Sequence, residues 1–141
     1  MAIINQDWIS QAVTSQPIGF WADIDDKCYV GGLVRHPTNI AKNTWTVAGT
    51  SDTYIEGVLL AINPEGKGFI ATRGVVTLTC DSKTDTSLIF PNELVQIYPS
   101  DSEAGKVKLA YGSGALTADT VAVSHIILAG DRTARKITIS L

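Results

Sequence analysis

Residues 54–80 read YIEGVLLAINPEGKGFIATRGVVTLTC, and this stretch decides the fold. Residues 55–62 are apolar and of strand-forming composition. Asn63-Pro64-Glu65-Gly66 then supplies turn chemistry, because Pro presets φ at the second turn position and Gly relieves the exit. Residues 69–72 return as the second arm of a hairpin. Arg73-Gly74 interrupts before residues 75–80 resume a β pattern, which predicts a bulge where only Gly tolerates the backbone. Nothing in the stretch is catalytic. It holds a β core together, so function is to be sought on the edges and at the termini.

At 141 residues the chain fits one domain and can bury a real core. Hydrophobic residues make up 45% and charged residues only 18%, which favours a globular, strand-rich protein over a disordered or coiled-coil one. So few charges fit either a large core or a surface given over to partners. The net charge of −3 offers no basic field for phosphates, which argues against nucleic-acid binding. No cationic segment precedes a long apolar run, and the longest apolar stretches are about eight residues, far short of a membrane span. The expectation is synthesis and assembly in a cytoplasm, with no membrane partner. Cys28 and Cys80 lack CxxC spacing and read as buried free thiols, with a disulfide as the alternative.

Residues 1–17 differ in character from the rest. Asn5 can cap a short helix, Asp7 sits in its first turn, and Ile4 and Ile9 occupy the positions of a hydrophobic staple. Trp8, Ile9, Ala12 and Val13 share one face, and Pro17 ends the pattern. A helix of roughly ten residues is marginal alone, so this arm needs a surface, either its own body or a neighbouring chain. Residues 18–21 and 27–30 flank the acidic turn Asp23-Ile24-Asp25-Asp26 and predict a hairpin. Three carboxylates there invite a calcium reading. It fails, because with Asp23 first the required Gly falls on Cys28 and the required Glu on Val34.

Residues 37–53 form a long polar segment around Trp45 and Val47, either a short hairpin centred on Trp45 or a functional loop. Trp45 itself is either a buried anchor of that loop or an exposed contact residue. Residues 106–111 alternate, with Val107, Leu109 and Tyr111 on one face and Lys106 and Lys108 on the other. Residues 121–128 are nearly all apolar and read as a strand buried on both faces or lying against another subunit. Gly130-Asp131-Arg132 reads as a turn, and residues 136–141 alternate again up to the end of the sequence.

Catalytic motifs fail residue by residue. Gly66-Lys67 would close a Walker A loop, but the Gly needed five residues earlier is Ala61. No GxSxG elbow occurs. His36 and His125 have no companions at metal-ligand spacing, and His125, within an apolar run, reads as a core or interface histidine. The sequence therefore predicts no enzyme, no catalytic residues, no metal and no cofactor.

The fold class expected is mainly β: a compact β-sandwich or partly open β-barrel spanning residues 18–141, with a short N-terminal helical arm over residues 1–17. Within it, Gly57-Val58-Leu59-Leu60-Ala61, followed after the hairpin by Ile70-Ala71-Thr72-Arg73-Gly74-Val75-Val76, resembles the pattern of tailed-bacteriophage capsid decoration, or head cement, proteins. There a "GV-L" strand precedes a return strand carrying an "RG-V" turn. The resemblance implies a structural protein on the capsid exterior of the virion. It would assemble as a homotrimer at three-fold and quasi-three-fold positions, bind the major capsid protein and stabilise the head against internal genome pressure. On that reading Ile3, Ile4, Trp8, Ile9 and Trp45 are the capsid-binding residues. The alternative is another virion component, such as a tail or fibre module, or a carbohydrate-binding β-sandwich in which Trp45 and Tyr54 stack on sugar.

Overall fold

The structure is a computed structural model that describes residues 16–38, 43–90, 95–111, 125 and 127–141. The protein is mainly β, built of several antiparallel sheets. The largest contains β1 (Ile18–Asp23), β2 (Leu33–Arg35), β3 (Thr46–Val47), β4 (Gly57–Ile62) and β5 (Lys67–Arg73), in the order β1-β5-β4-β2-β3. A three-stranded sheet follows from β6 (Val75–Thr79), β9 (Ile127–Asp131) and β10 (Lys136–Ser140), in the order β6-β10-β9. β7 (Val95–Pro99) and β8 (Val107–Tyr111) pair as a two-stranded ribbon. Among the described residues none of these sheets closes on itself. The expected helical arm, with Asn5, Asp7, Ile3, Ile4, Trp8 and Ile9, lies outside the described residues, as does most of the apolar run at 121–128.

The β4–β5 hairpin follows the turn chemistry of residues 63–66. Asn63 Oδ1 accepts the amides of Glu65 and Lys67, and Gly66 takes a φ of +83°. Strand alternation then explains why β4 and the centre of β5, Phe69 to Ala71, are continuously apolar. Leu59 and Ile70 point to one face and join Cys28 and Val34 in a small core; Val58 and Ala71, one residue along, point to the other face and join the main core. That main core lies between the sheets, with Leu33 from the large sheet, Leu78, Ile137 and Ile139 from the second, and Val95, Ile97 and Val107 from the ribbon. Both cysteines are free and buried.

Three expectations need correction. Arg73-Gly74 is not a bulge inside one strand. β5 belongs to the five-stranded sheet and β6 to the three-stranded one, so Gly74 is where the chain changes sheets. Its φ is +104°, and a Cβ there would sit 2.5 Å from the Gln16 carbonyl oxygen and 2.6 Å from Pro17 Cα. Residues 18–21 do not pair with 27–30 either. Asp25 Oδ1 turns the chain by accepting the Lys27 amide, and Tyr29 then lies over Gly32 and Gly105 with its hydroxyl donating to the Ala104 carbonyl. β1 finds β5 instead. Finally, Gly130 and Asp131 end β9, and the reversal comes after them, where Arg135 holds a φ of 56°.

Arg135 tolerates that backbone because its side chain is tied down. Its guanidinium donates to the carbonyls of Asp81 and Thr84, while its own carbonyl accepts the Cys80 amide. The Asp81 carboxylate beside it is only 1% exposed and accepts from the Thr84 amide and hydroxyl and from the Ser100 hydroxyl. Every oxygen of this buried group is occupied, as burial requires. The node joins the second sheet to the ribbon, since the Asp81 amide also donates to the Val107 carbonyl.

Two outcomes test this account. Gly74→Ala forces a side chain into a blocked, glycine-only backbone region, so it costs at least on the order of 1–3 kcal/mol in urea unfolding; unchanged stability would refute the tight crossing. Glu103 offers the second. The Ser82 amide, the Lys106 ammonium and the Ser82 hydroxyl hold its carboxyl down to about 2, from an ordinary 4.5. A depressed carboxyl stabilises the fold above its unfolded value and loses that contribution as pH falls. Stability attributable to Glu103 is therefore complete above pH 4.5 and disappears towards pH 2, and Glu103→Gln flattens the stability profile in that window.

Candidate interaction surface

Phe20 and Trp21 are adjacent in β1, so their rings fall on opposite faces of the sheet. Phe20 meets Trp45 edge to face at 5.5 Å, and Trp21 meets Phe69 the same way at 5.4 Å. Both remain well exposed, Phe20 at 41% and Trp21 at 52%. β1 is the outermost strand of its sheet, and Ile18 beside them is exposed as well. Aromatic side chains on both faces of an outer strand leave apolar area in water that a partner would cover.

Trp45 is half-buried and closes one end of this surface. Ile24, just past β1, and Trp45, just before β3, form an isolated parallel bridge in which the Trp45 amide donates to Asp23 and the Asp25 amide donates to Trp45. The two ends of the five-stranded order thus approach each other at this bridge. A cleft of about 280 Å³ runs beside the bridge, lined by Phe20, Trp21, Ala22, Asp23, Asn43, Trp45 and Lys67. Its volume lies just below the roughly 300–1,000 Å³ of ordinary small-molecule sites, and it is open to solvent. Lys67 Nζ stands 3.9 Å from Asp23 Oδ1 at its end, an exposed pair worth at most about 1 kcal/mol.

Polar groups on the far side of Trp45 are mutually satisfied. Glu56 accepts the His36 amide and meets its ring nitrogen, both at 2.7 Å. Burial alone would raise the Glu56 carboxyl, but hydrogen bonds from Tyr54 and from both His36 groups outweigh it and hold the group below its ordinary value. The same bond raises the Tyr54 hydroxyl. Tyr54 is exposed but does not line the cleft beside Trp45, so the two rings expected to grip a sugar are not brought together there. His125 Nδ1 lies 3.0 Å from the Ser140 carbonyl. Among the described residues no three His, Cys, Asp or Glu side chains are grouped to hold a metal, and no helix is long and apolar enough to cross a membrane. Burial pushes the Cys28 thiol up to about 12 and the Cys80 thiol up to about 11, so neither is poised as a nucleophile at neutral pH.

Of the residues singled out from sequence, Trp45 lies at this surface, while Ile3, Ile4, Trp8 and Ile9 fall outside the described residues. Phe20 and Trp21 were missed. Their signal was weak: neighbouring aromatics in one strand face opposite sides of the sheet, so both are buried only where both faces are covered. No protein-family model matches the chain, and comparison with curated proteins and with solved structures finds no match.

The two tryptophans should separate in stability. Trp45→Ala removes a half-buried ring packed on Phe20 and costs about 2–3 kcal/mol in urea unfolding, roughly half to two-thirds of a fully buried aromatic truncation. Trp21→Ala removes a ring half in water and changes stability by less than about 1 kcal/mol. Equal costs would contradict the difference in burial.

Proposed function

We propose that this chain is a phage capsid decoration protein that binds the outside of the mature head and stabilises it against genome pressure. Its body, residues 18–141, is then a compact, partly open barrel in which the five-stranded sheet curls until its outer strands touch at Ile24 and Trp45. Residues 1–17 form the arm, with Ile3, Ile4, Trp8 and Ile9 against the major capsid protein and Trp45 at the edge of the body's own contact. The chain assembles as a trimer at three-fold and quasi-three-fold positions, carries out no catalysis and needs no cofactor.

The observation that carries this reading is the aromatic edge of β1 beside Trp45, apolar surface suited to a macromolecular partner. The resemblance in residues 57–61 and 70–76 supplies the kind of partner. A shell presents many copies of one site, so a modest contact per subunit becomes firm attachment when an oligomer engages several at once. The test is co-sedimentation of the purified protein with empty expanded heads of its phage, with unexpanded proheads as control. Saturable binding to expanded heads alone is expected, and Trp8→Ala lowers occupancy without unfolding the protein. No binding by a well-folded protein to either particle overturns the reading.

A further inference from the structure

We propose that the open edge of β1, residues 18–22, seats one extended segment of the shell protein; this deepens the functional reading above and rests on it. The phase of the backbone can be read from both sides of the strand. The Asp23 carbonyl faces away from β5, because it accepts the Trp45 amide. On β5, the Lys67 carbonyl faces β4, because it accepts the Asn63 amide. Strand alternation then turns residues 68 and 70 towards β1, where their partners are Ala22 and Phe20. Both routes leave the N–H and C=O of Trp21 pointing outward, and no hydrogen bond among the described residues reaches them.

The cleft follows this same edge. Four consecutive residues, Phe20 to Asp23, line it. Alternate side chains of a strand point to opposite faces, so consecutive residues share a cleft only when it runs along the strand's edge. An extended peptide lying there would pair with Trp21 and place successive side chains by turns towards Phe20 with Trp45 and towards Trp21 with Phe69. Asp23 and Lys67 neutralise each other at one end, so the segment that fits is uncharged, and the mostly polar lining of the cleft suits its hydrogen-bonding backbone. The Trp45 bridge closes that end, and Pro17 with the register shift at Ile18/Gly19 closes the other, limiting the segment to about three or four residues. A second copy is the poorer occupant, because β1 paired with β1 about a two-fold axis makes a closed dimer and cannot build a trimer.

The test compares Trp21→Pro with Trp21→Ala in binding to expanded heads. Proline is tolerated in an edge strand where the N–H faces outward, and it removes that donor together with the ring. Trp21→Pro is expected to weaken binding by about threefold to tenfold more than Trp21→Ala, the loss of one hydrogen bond. Equal losses would assign the contact to the ring and overturn strand addition while leaving the decoration role intact. Failure of the wild type to bind heads overturns the role and the proposal together. A free protein that is dimeric, and that Trp21→Pro makes monomeric, would give the edge to a second copy and overturn the proposal. Should Trp21→Pro fail to fold by circular dichroism, hydrogen exchange of the wild type decides: β1 amides protected on head binding support the proposal, and unchanged exchange refutes it.

Discussion

The body depends on the close approach of the chain to itself at Gly74. There the backbone leaves the five-stranded sheet for the three-stranded one with Gln16 and Pro17 packed directly over the α-carbon, where any side chain would collide. The Leu141 amide donates to the Gly74 carbonyl at 2.8 Å, so both ends of the described chain are gathered at this one residue. The entry into β1, the hinge between β5 and β6 and the exit from β10 are therefore mutually fixed. A change at any one of them would disturb the angle between two sheets that share the main core.

A second constraint is polar. The Asp81 carboxylate is buried beside Thr84 and Ser100, and among the described residues no cation bonds it; the Arg135 guanidinium bonds the Asp81 and Thr84 carbonyls instead. Its stability there comes from three donors that only one arrangement of Thr84, Ser100 and the ribbon supplies. Apolar contacts alone would let the ribbon slide over the second sheet at small cost. An anion that loses its donors on sliding forbids it, because an unsatisfied buried charge costs far more than a shifted methyl group.

Much of the fold was legible in the sequence where the determinants are local. The turn at Asn63-Pro64-Glu65-Gly66 and the alternation in β8 and β10 were read correctly, because turn chemistry and a period of two are written in consecutive residues. The sheet change was not legible. A glycine with positive φ serves a bulge and a crossing equally well, and only the distant Gln16-Pro17 tells them apart. The partner of β1 was missed for the same reason: the acidic turn at 23–26 offered a nearby hairpin, while the strand that pairs lies about fifty residues on. That error also concealed the candidate surface, because a hairpin would have given Phe20 and Trp21 a neighbour. Trp45 was visible as an aromatic isolated in a polar segment, but its bridge to Ile24 was not.

An edge strand is a hazard, and proteins that do not use it usually guard it with charge, proline or a bulge along its length. Among the described residues, β1 carries such guards only at its two ends. Pro17 and the register shift stand before it, and Asp23 with the Trp45 bridge stands after it. Between them the strand reads Gly19-Phe20-Trp21-Ala22, with no charge and two large rings. Protection at the ends limits how many residues of another chain can pair, which suppresses indefinite sheet growth between copies. On the proposed reading, the centre between them admits a short segment. Weak, bounded pairing of this kind is of little use to a protein acting alone and well suited to one repeated over a lattice, where the number of contacts rather than the strength of each sets the hold.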